Sequence, residues 1–192
     1  MLQRRKLVST LLADRPANLL AVSSLGSPTW DLSAAGNHPA NFCFIGAMGQ
    51  AAPFALGLAL AQPDKRVVLF AGDGEILMAL GSLATIANQA PANLAIIVLD
   101  NQSYYETGDQ PTATAGRTDL MAVARGCGFE AGLEIRAEHE IDDLRAAMLA
   151  QSGPVFALAH IGIEKLPLAF PYSFDGVTAM DRFRQTVNAG AE

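Results

Sequence analysis

Residues 66–101 constrain the fold of this chain more than any other segment. RVVLFA (66–71) and LAIIVL (94–99) are short apolar runs rich in branched side chains, the pattern of strands buried on both faces. Between them Ile76, Leu80, Leu83 and Ile86 fall at helical spacing, with Gly72-Asp73-Gly74 before the helix and Pro91 after it. Both strands run out into oxygen-bearing residues, Asp73 after the first and Asp100-Asn101 after the second.

The rest of the chain continues the alternation. Strands are expected at 19–22, 41–45 and 155–161, and helices at 3–13, from the Gly46-Ala47-Met48-Gly49 turn to Leu60, from the cap-like Thr118-Asp119 onward, and at 138–151. Alternation of this kind predicts an α/β fold: a doubly wound, mainly parallel sheet with helices on both faces. The stretch 104–117 is rich in Gly, Thr and Pro without an apolar period, and reads as a loop long enough to be functional. Two parts are expected, a domain over 1–164 and a C-terminal tail over 165–192. The tail carries Pro167, Pro171 and three Phe, and is expected to pack on the domain or on a partner.

Composition narrows the function classes. The chain has 192 residues, 51% hydrophobic and 17% charged, enough for one packed domain and unlike a disordered chain. A formal charge of −6 argues against binding a nucleic-acid backbone, which needs cationic surface. The longest apolar stretch, 51–61, contains Pro53 and Gly57 and is shorter than the roughly 20 residues of a membrane span. Residues 7–12 are broken by Ser9 and Thr10 and do not resemble the apolar region of a signal peptide. Cys43 and Cys127 read as free thiols of a reducing compartment, so a cytoplasmic location is expected.

In an open parallel sheet, ligands bind beyond the carboxyl ends of the strands, where Asp73 and Asn101 fall. A carboxylate, an amide oxygen and a backbone carbonyl are hard ligands suited to Mg²⁺, which also takes phosphate oxygens. Gly72 and Gly74 let the backbone approach a phosphate, and amides of the following helix point at it. A Gly-Asp-Gly turn alone is equally an ordinary way to leave a strand.

The block GDGEILMALGSLATIANQAPANLAIIVLDNQSYYETGDQPT resembles the fingerprint of thiamin diphosphate enzymes, in which GDG is followed, one helix and one strand later, by a pair of Asn. Here twenty-five residues, 75–99, separate Gly74 from the pair, whose first member is Asp100. The resemblance implies thiamin diphosphate and Mg²⁺ (or Ca²⁺) as cofactors, with Asp73, the Asn101 side chain and the Ser103 carbonyl as metal ligands. It places Gly72, Gly74, Glu75, Tyr104 and Tyr105 around the cofactor. The charge of Glu75 would be unfavourable beside a diphosphate unless it points away.

Upstream, NFCFIGAMGQAAPFALGLALA resembles the segment that holds the aminopyrimidine ring. That implies roles for the Gly46 carbonyl, for Ala47, and for Met48 as an apolar wedge; filling a gap in the core is the other reading of Met48.

The stretches LGSLATIANQ, TGDQPT (107–112) and RTDL (117–120) are similar to the diphosphate-binding (β) subunit of sulfopyruvate decarboxylases and to phosphonopyruvate decarboxylases. The implied function is non-oxidative release of CO₂ from a small-molecule 2-oxo acid to give an aldehyde. Glu75, Glu106 and Glu164 lie in the wrong modules to activate the cofactor, so that Glu is expected from a separate pyrimidine-domain α subunit. A carboligase, a decarboxylase of an apolar or aromatic 2-oxo acid, and a noncatalytic cofactor-holding subunit are the alternatives.

His38 and Tyr104 are the catalytic candidates in this chain, although a loop His is also commonly just solvated. His160 reads as structural. Where the family has a Ser-Arg-Glu-Leu-like segment, this chain has Ser27 to Leu32 with Trp30 and no Arg. Trp30 stands either beside an apolar substrate or as a half-buried structural residue.

Overall fold

The structure, a computed structural model, describes residues 1–150 and 152–189. In chain order its elements are α1 (Arg4–Leu11), β1 (Leu19–Ser23), α2 (Ser27–Ala34), β2 (Asn41–Cys43), α3 (Ala51–Ala61), β3 (Arg66–Gly72), α4 (Asp73–Met78) and α5 (Leu80–Gln89). They continue with β4 (Leu94–Asp100), β5 (Ser103–Tyr104), β6 (Gln110–Pro111), α6 (Leu120–Cys127), β7 (Ala131–Ile135), α7 (Ile141–Leu149), β8 (Val155–His160) and α8 (Gly176–Asn188).

Six strands form one sheet in the order β2-β1-β3-β4-β8-β7, every pair parallel. Side chains alternate across it, and each face builds its own core. Leu20, Val22, Val67, Leu69, Ile96, Val98, Phe156 and Leu158 face α3, α5, α6 and α8. Leu19, Ala21, Val68, Phe70, Ala95, Ile97, Val155 and Ala157 face α1, α2 and α7. The doubly wound α/β architecture is therefore present, and burial on both faces is why the central strands read as unbroken apolar runs.

Chain direction positions the site. From β1 the chain moves outward to β2, whereas from β3 it moves the opposite way to β4. The carboxyl ends of β1 and β3 thus flank the crevice where strand order reverses, the usual ligand position in such sheets.

Several elements depart from the sequence reading. Gly26-Ser27-Pro28 opens α2, with Pro at the first turn of the helix, where a missing N–H costs nothing. The strand expected at 41–45 closes after Cys43. The helix expected from Glu75 starts at Asp73 and breaks at Ala79 into α4 and α5. The loop at 104–117 holds the β5–β6 hairpin, which brings Thr112 and Thr114 back over β3.

Asp119 caps α6 by accepting from the Ala122 amide at 2.9 Å. The helix expected at 138–151 begins as a 3-10 turn before α7, and its last residue, Gln151, lies outside the described residues. Edge strand β7 was not foreseen. The tail contains α8, whose Phe183 and Val187 enter the core, while residues 190–192 lie outside the described residues.

Candidate functional site

A cavity of about 100 Å³ opens at the switch point, between the ends of β1, β3 and β4 and the β5–β6 hairpin. Asp73, Gly74, Asn101, Ser103, Tyr104 and Tyr105 line it, with Gly72, Glu75 and Met48. Residues far apart in sequence are thus brought together at one cavity.

Asp73 is 1% exposed and stands at the first position of α4, at the helix N-terminus. Its Oδ2 accepts from the hydroxyls of Thr112 at 2.5 Å and Thr114 at 3.0 Å. The Thr114 hydroxyl also lies 2.9 Å from Asp100 Oδ1, so one proton serves two buried carboxylates. Burial pushes the Asp73 carboxyl above its ordinary range, the Thr112 and Thr114 hydroxyls pull it back, and the Asp100 charge pushes it further up.

Among the described residues no Lys or Arg forms an ion pair with either carboxylate, and His160 Nδ1 stands 3.8 Å from Asp100 Oδ2. Buried negative charge with so little protein compensation is an environment that suits a cation. Nor do three His, Cys, Asp or Glu side chains converge on a metal position among the described residues. The donors are instead one carboxylate, the Asn101 amide oxygen and a nearby carbonyl. Such a set leaves Mg²⁺ room for phosphate oxygens and water, and the residues present fit that ion.

Close approach defines the floor. A Cβ on Gly74 would lie 2.2 Å from Cε1 of Tyr104, so the tyrosine ring rests against the Gly74 backbone and only glycine fits beneath it. Tyr104 and Tyr105, both half-buried, form the wall that follows the Asn101 turn. That turn is fixed by Asn101 Oδ1 accepting from the Ser103 amide at 3.0 Å, and by Gln102 at φ +61°.

Glu75 lines the cavity, and its carboxylate, 2% exposed, turns to the backbone, accepting from the amides of Gly49 at 2.7 Å and Ala51 at 3.0 Å. It caps the N-terminus of α3, where Gln50 supplies no side-chain cap. Its charge is thereby compensated by two backbone amides at the entry to α3. Of the Gly46-Ala47-Met48 turn, Met48 reaches the cavity, while Gly46 is exposed and, like Ala47, stays off the cavity wall.

His38 is not brought to this site. It lines a separate cavity of about 220 Å³ between β2 and the C-terminal segment, where its Nδ1 accepts from the Ala40 amide at 3.1 Å. Partial burial and the charges of Arg15 and Arg182 hold its pKa below the ordinary value. Trp30 packs edge-on against Phe170 at 5.8 Å and donates from Nε1 to Glu106 at 3.0 Å, a structural use. His160 Nε2 lies 2.7 Å from Glu134 Oε1, on the edge pair β7–β8.

Sequence reasoning missed Thr112, Thr114 and Arg4. All three reach the site from distant parts of the chain, and only the Gln-Pro-Thr turn after Gly108 carried a local signal.

A doubly wound domain with an oxygen-donor pocket at its switch point is the build of a domain that holds a phosphorylated cofactor. The chain belongs to the thiamine pyrophosphate enzyme family, C-terminal TPP binding domain, whose model matches residues 29–157.

It is 40% identical over 174 residues to the sulfopyruvate decarboxylase subunit beta of Methanothermobacter thermautotrophicus, covering 90% of this chain and 89% of that one. It is also 40% identical over 167 residues to the phosphonopyruvate decarboxylase of Streptomyces viridochromogenes, covering 87% of this chain but only 40% of that protein. Among solved structures, the benzoylformate decarboxylase of Polynucleobacter necessarius superposes with a TM-score of 0.70 at 21% identity, over 87% of this chain and 34% of that one. That likeness is one of fold.

Proposed function

We propose that this chain is the diphosphate- and Mg²⁺-holding subunit of a thiamin diphosphate-dependent decarboxylase acting on a 2-oxo acid of the sulfopyruvate or phosphonopyruvate type. The observation that carries the reading is the convergence of Asp73, Asn101 and the Ser103 turn on one cavity at the switch point. Near-complete mutual coverage with a sulfopyruvate decarboxylase subunit beta supports it. The cofactor, when bound, supplies the electron sink that lets CO₂ leave a 2-oxo acid.

The protein's own contribution is placement. Asp73, Asn101 and the Ser103 carbonyl would hold the metal, with Thr112 and Thr114 orienting the Asp73 carboxylate. Gly72 and Gly74 admit a phosphate close to the backbone, and the α4 amides face it. Glu75 holds the Gly49 and Ala51 amides, and so fixes the Gly46–Met48 turn where the aminopyrimidine would sit. Tyr104 and Tyr105 exclude water from one side.

None of the three glutamates near this region is free to activate the pyrimidine. Glu75 is engaged by amides, Glu106 by Trp30, and Glu164 by the Arg4 amide. This supports a partner subunit with a pyrimidine domain as the source of the activating carboxylate. Free Cys43 and Cys127 fit a reducing cytoplasm, and no helix among the described residues is long and apolar enough to cross a membrane.

The test is calorimetric titration of thiamin diphosphate with Mg²⁺ into the chain, alone and mixed with a candidate pyrimidine-domain subunit, followed by CO₂ release from a panel of 2-oxo acids. Tighter binding and turnover only in the mixture is the expected result. Absence of heat in both titrations overturns the reading, and products longer than the aldehyde would make the enzyme a carboligase.

A further inference from the structure

The cavity has a second polar wall, at the start of α1. Arg4 contributes to it and is only 4% exposed. Its Nε donates to Oδ2 of the fully buried Asp31, whose Oδ1 accepts from Arg5 Nε at 2.9 Å. One carboxylate therefore serves two guanidinium groups, and neither receives a full counter-charge. Arg4 Nη1 is buried with no hydrogen-bond partner. A buried charged donor without a partner is rare in folded proteins, and where it persists a ligand, ion or water is its usual complement.

Among the described residues, Arg4 is also the one Lys or Arg lining this cavity. Glu106, on the exposed rim, is occupied by Trp30 Nε1 and by the Ser27 hydroxyl at 3.4 Å. A guanidinium pinned at Nε by Asp31 presents its remaining N–H edge in a fixed direction, the geometry that suits a planar or tetrahedral oxyanion. The Asp73 and Asn101 side of the cavity already has the metal-capable oxygens and the helix amides for a diphosphate, whereas the Arg4 side has a cation and no such turn.

We infer that Arg4 is a specificity-determining residue that receives the anionic tail, sulfonate or phosphonate, of the 2-oxo acid. This rests on the reaction proposed above. It locates the recognition of the tail in α1, since the segment after β1 carries Trp30 and no cation.

The chain holds its own reporter, because its single tryptophan, Trp30, adjoins Asp31 and bonds Glu106 of the same cavity. The experiment is a Trp30 fluorescence titration of the full chain with methylphosphonate, with and without saturating thiamin diphosphate and Mg²⁺. A saturable response under both conditions is expected for the wild-type chain. Arg4→Met should abolish it. Arg4→Lys, which keeps an ion pair with Asp31 but loses the fork, should weaken it at least about fivefold in a chain that still folds. Lys6→Gln removes a neighbouring charge from an exposed pair with Glu138 and should leave the response unchanged.

Wild-type affinity in Arg4→Lys and Arg4→Met overturns the inference, as does no response in the wild-type chain. A response eliminated by saturating thiamin diphosphate assigns Arg4 to the cofactor's diphosphate instead and equally overturns it. Because this readout needs no turnover, failure of every 2-oxo acid to release CO₂ would sink the proposed reaction separately.

Discussion

The Glu75 carboxylate accepts the backbone amide of Gly49 at 2.7 Å, tying the Gly-Asp-Gly turn to the turn that precedes α3. With the Ala51 amide at 3.0 Å, it also answers one of the N–H groups that every helix leaves without internal partners. Both bonds are buried and one partner is charged, so each contributes more than a neutral surface bond. Glu75→Ala should lower unfolding free energy by about 2 kcal/mol, and Glu75→Gln, which keeps one good acceptor, by about half that. Urea denaturation measures both, and a wild-type midpoint for Glu75→Ala would show that the cap is dispensable.

Gly74 lies inside α4, where alanine is intrinsically the better helix former by about 1 kcal/mol. Here the Tyr104 ring occupies the position of the missing methyl, 2.2 Å from it. Gly74→Ala alone should therefore destabilise the chain by about 1–3 kcal/mol through overpacking. Paired with Tyr104→Ala it should cost less than the sum of the two single changes. A thermal-melt double-mutant cycle with no coupling would mean that Tyr104 moves aside freely.

Burial raises the pKa of the Cys43 thiol, and hydrogen bonds with Ser23 and Ser33 pull it back only in part. The thiolate is the reactive form, so the pH profile of Cys43 alkylation should have its midpoint above that of an ordinary thiol. The linked stability has the same sign. The folded state's preference for the neutral thiol is fully present below the ordinary thiol pKa and fades as pH rises through the raised one. Mass spectrometry of iodoacetamide-treated protein across pH 7 to 10 gives the profile, and a midpoint at or below the ordinary value would contradict the burial argument.

What could be read from the chain alone was what is contiguous in it. β3, β4 and β8 are buried on both faces and so appear as uninterrupted apolar runs, and Asp73 and Asn101 are legible because they directly follow two of them. Edge strand β7 alternates half-buried and exposed positions through Gly132 and Glu134, and carries too little apolar signal. α2 hid behind Gly26-Ser27-Pro28, a string that also spells a turn. α8 follows two prolines with only Val177, Met180, Phe183 and Val187 as its apolar stripe. In the site, Thr112 stands 39 residues from the carboxylate it orients, and the contact exists only because the β5–β6 hairpin folds back. Glu75 read as a misplaced charge because the two amides that donate to it lie at the start of a different helix, far away in sequence.

Asp73 separates what is good for the fold from what is good for the site. Its burial disfavours the ionised carboxylate, a penalty that the Thr112 and Thr114 hydroxyls offset only in part and that a bound cation would relieve. Asparagine has the same shape and keeps an oxygen for the Thr112 and Thr114 hydroxyls, but carries no charge. In the metal-free chain, Asp73→Asn should therefore match or exceed wild-type thermal stability at neutral pH, because a group with a raised folded-state pKa disfavours folding when it is ionised. The same substitution removes the anionic oxygen that a hard cation requires. Mg²⁺-dependent retention of thiamin diphosphate should fall by more than about 100-fold, beyond the loss usual for changes outside the ligand sphere. Differential scanning calorimetry without metal and calorimetric titration with it read the two effects in one protein. Retained Mg²⁺-dependent binding would remove Asp73 from the metal site, and a strongly destabilised metal-free chain would show that its charge is compensated from within the fold.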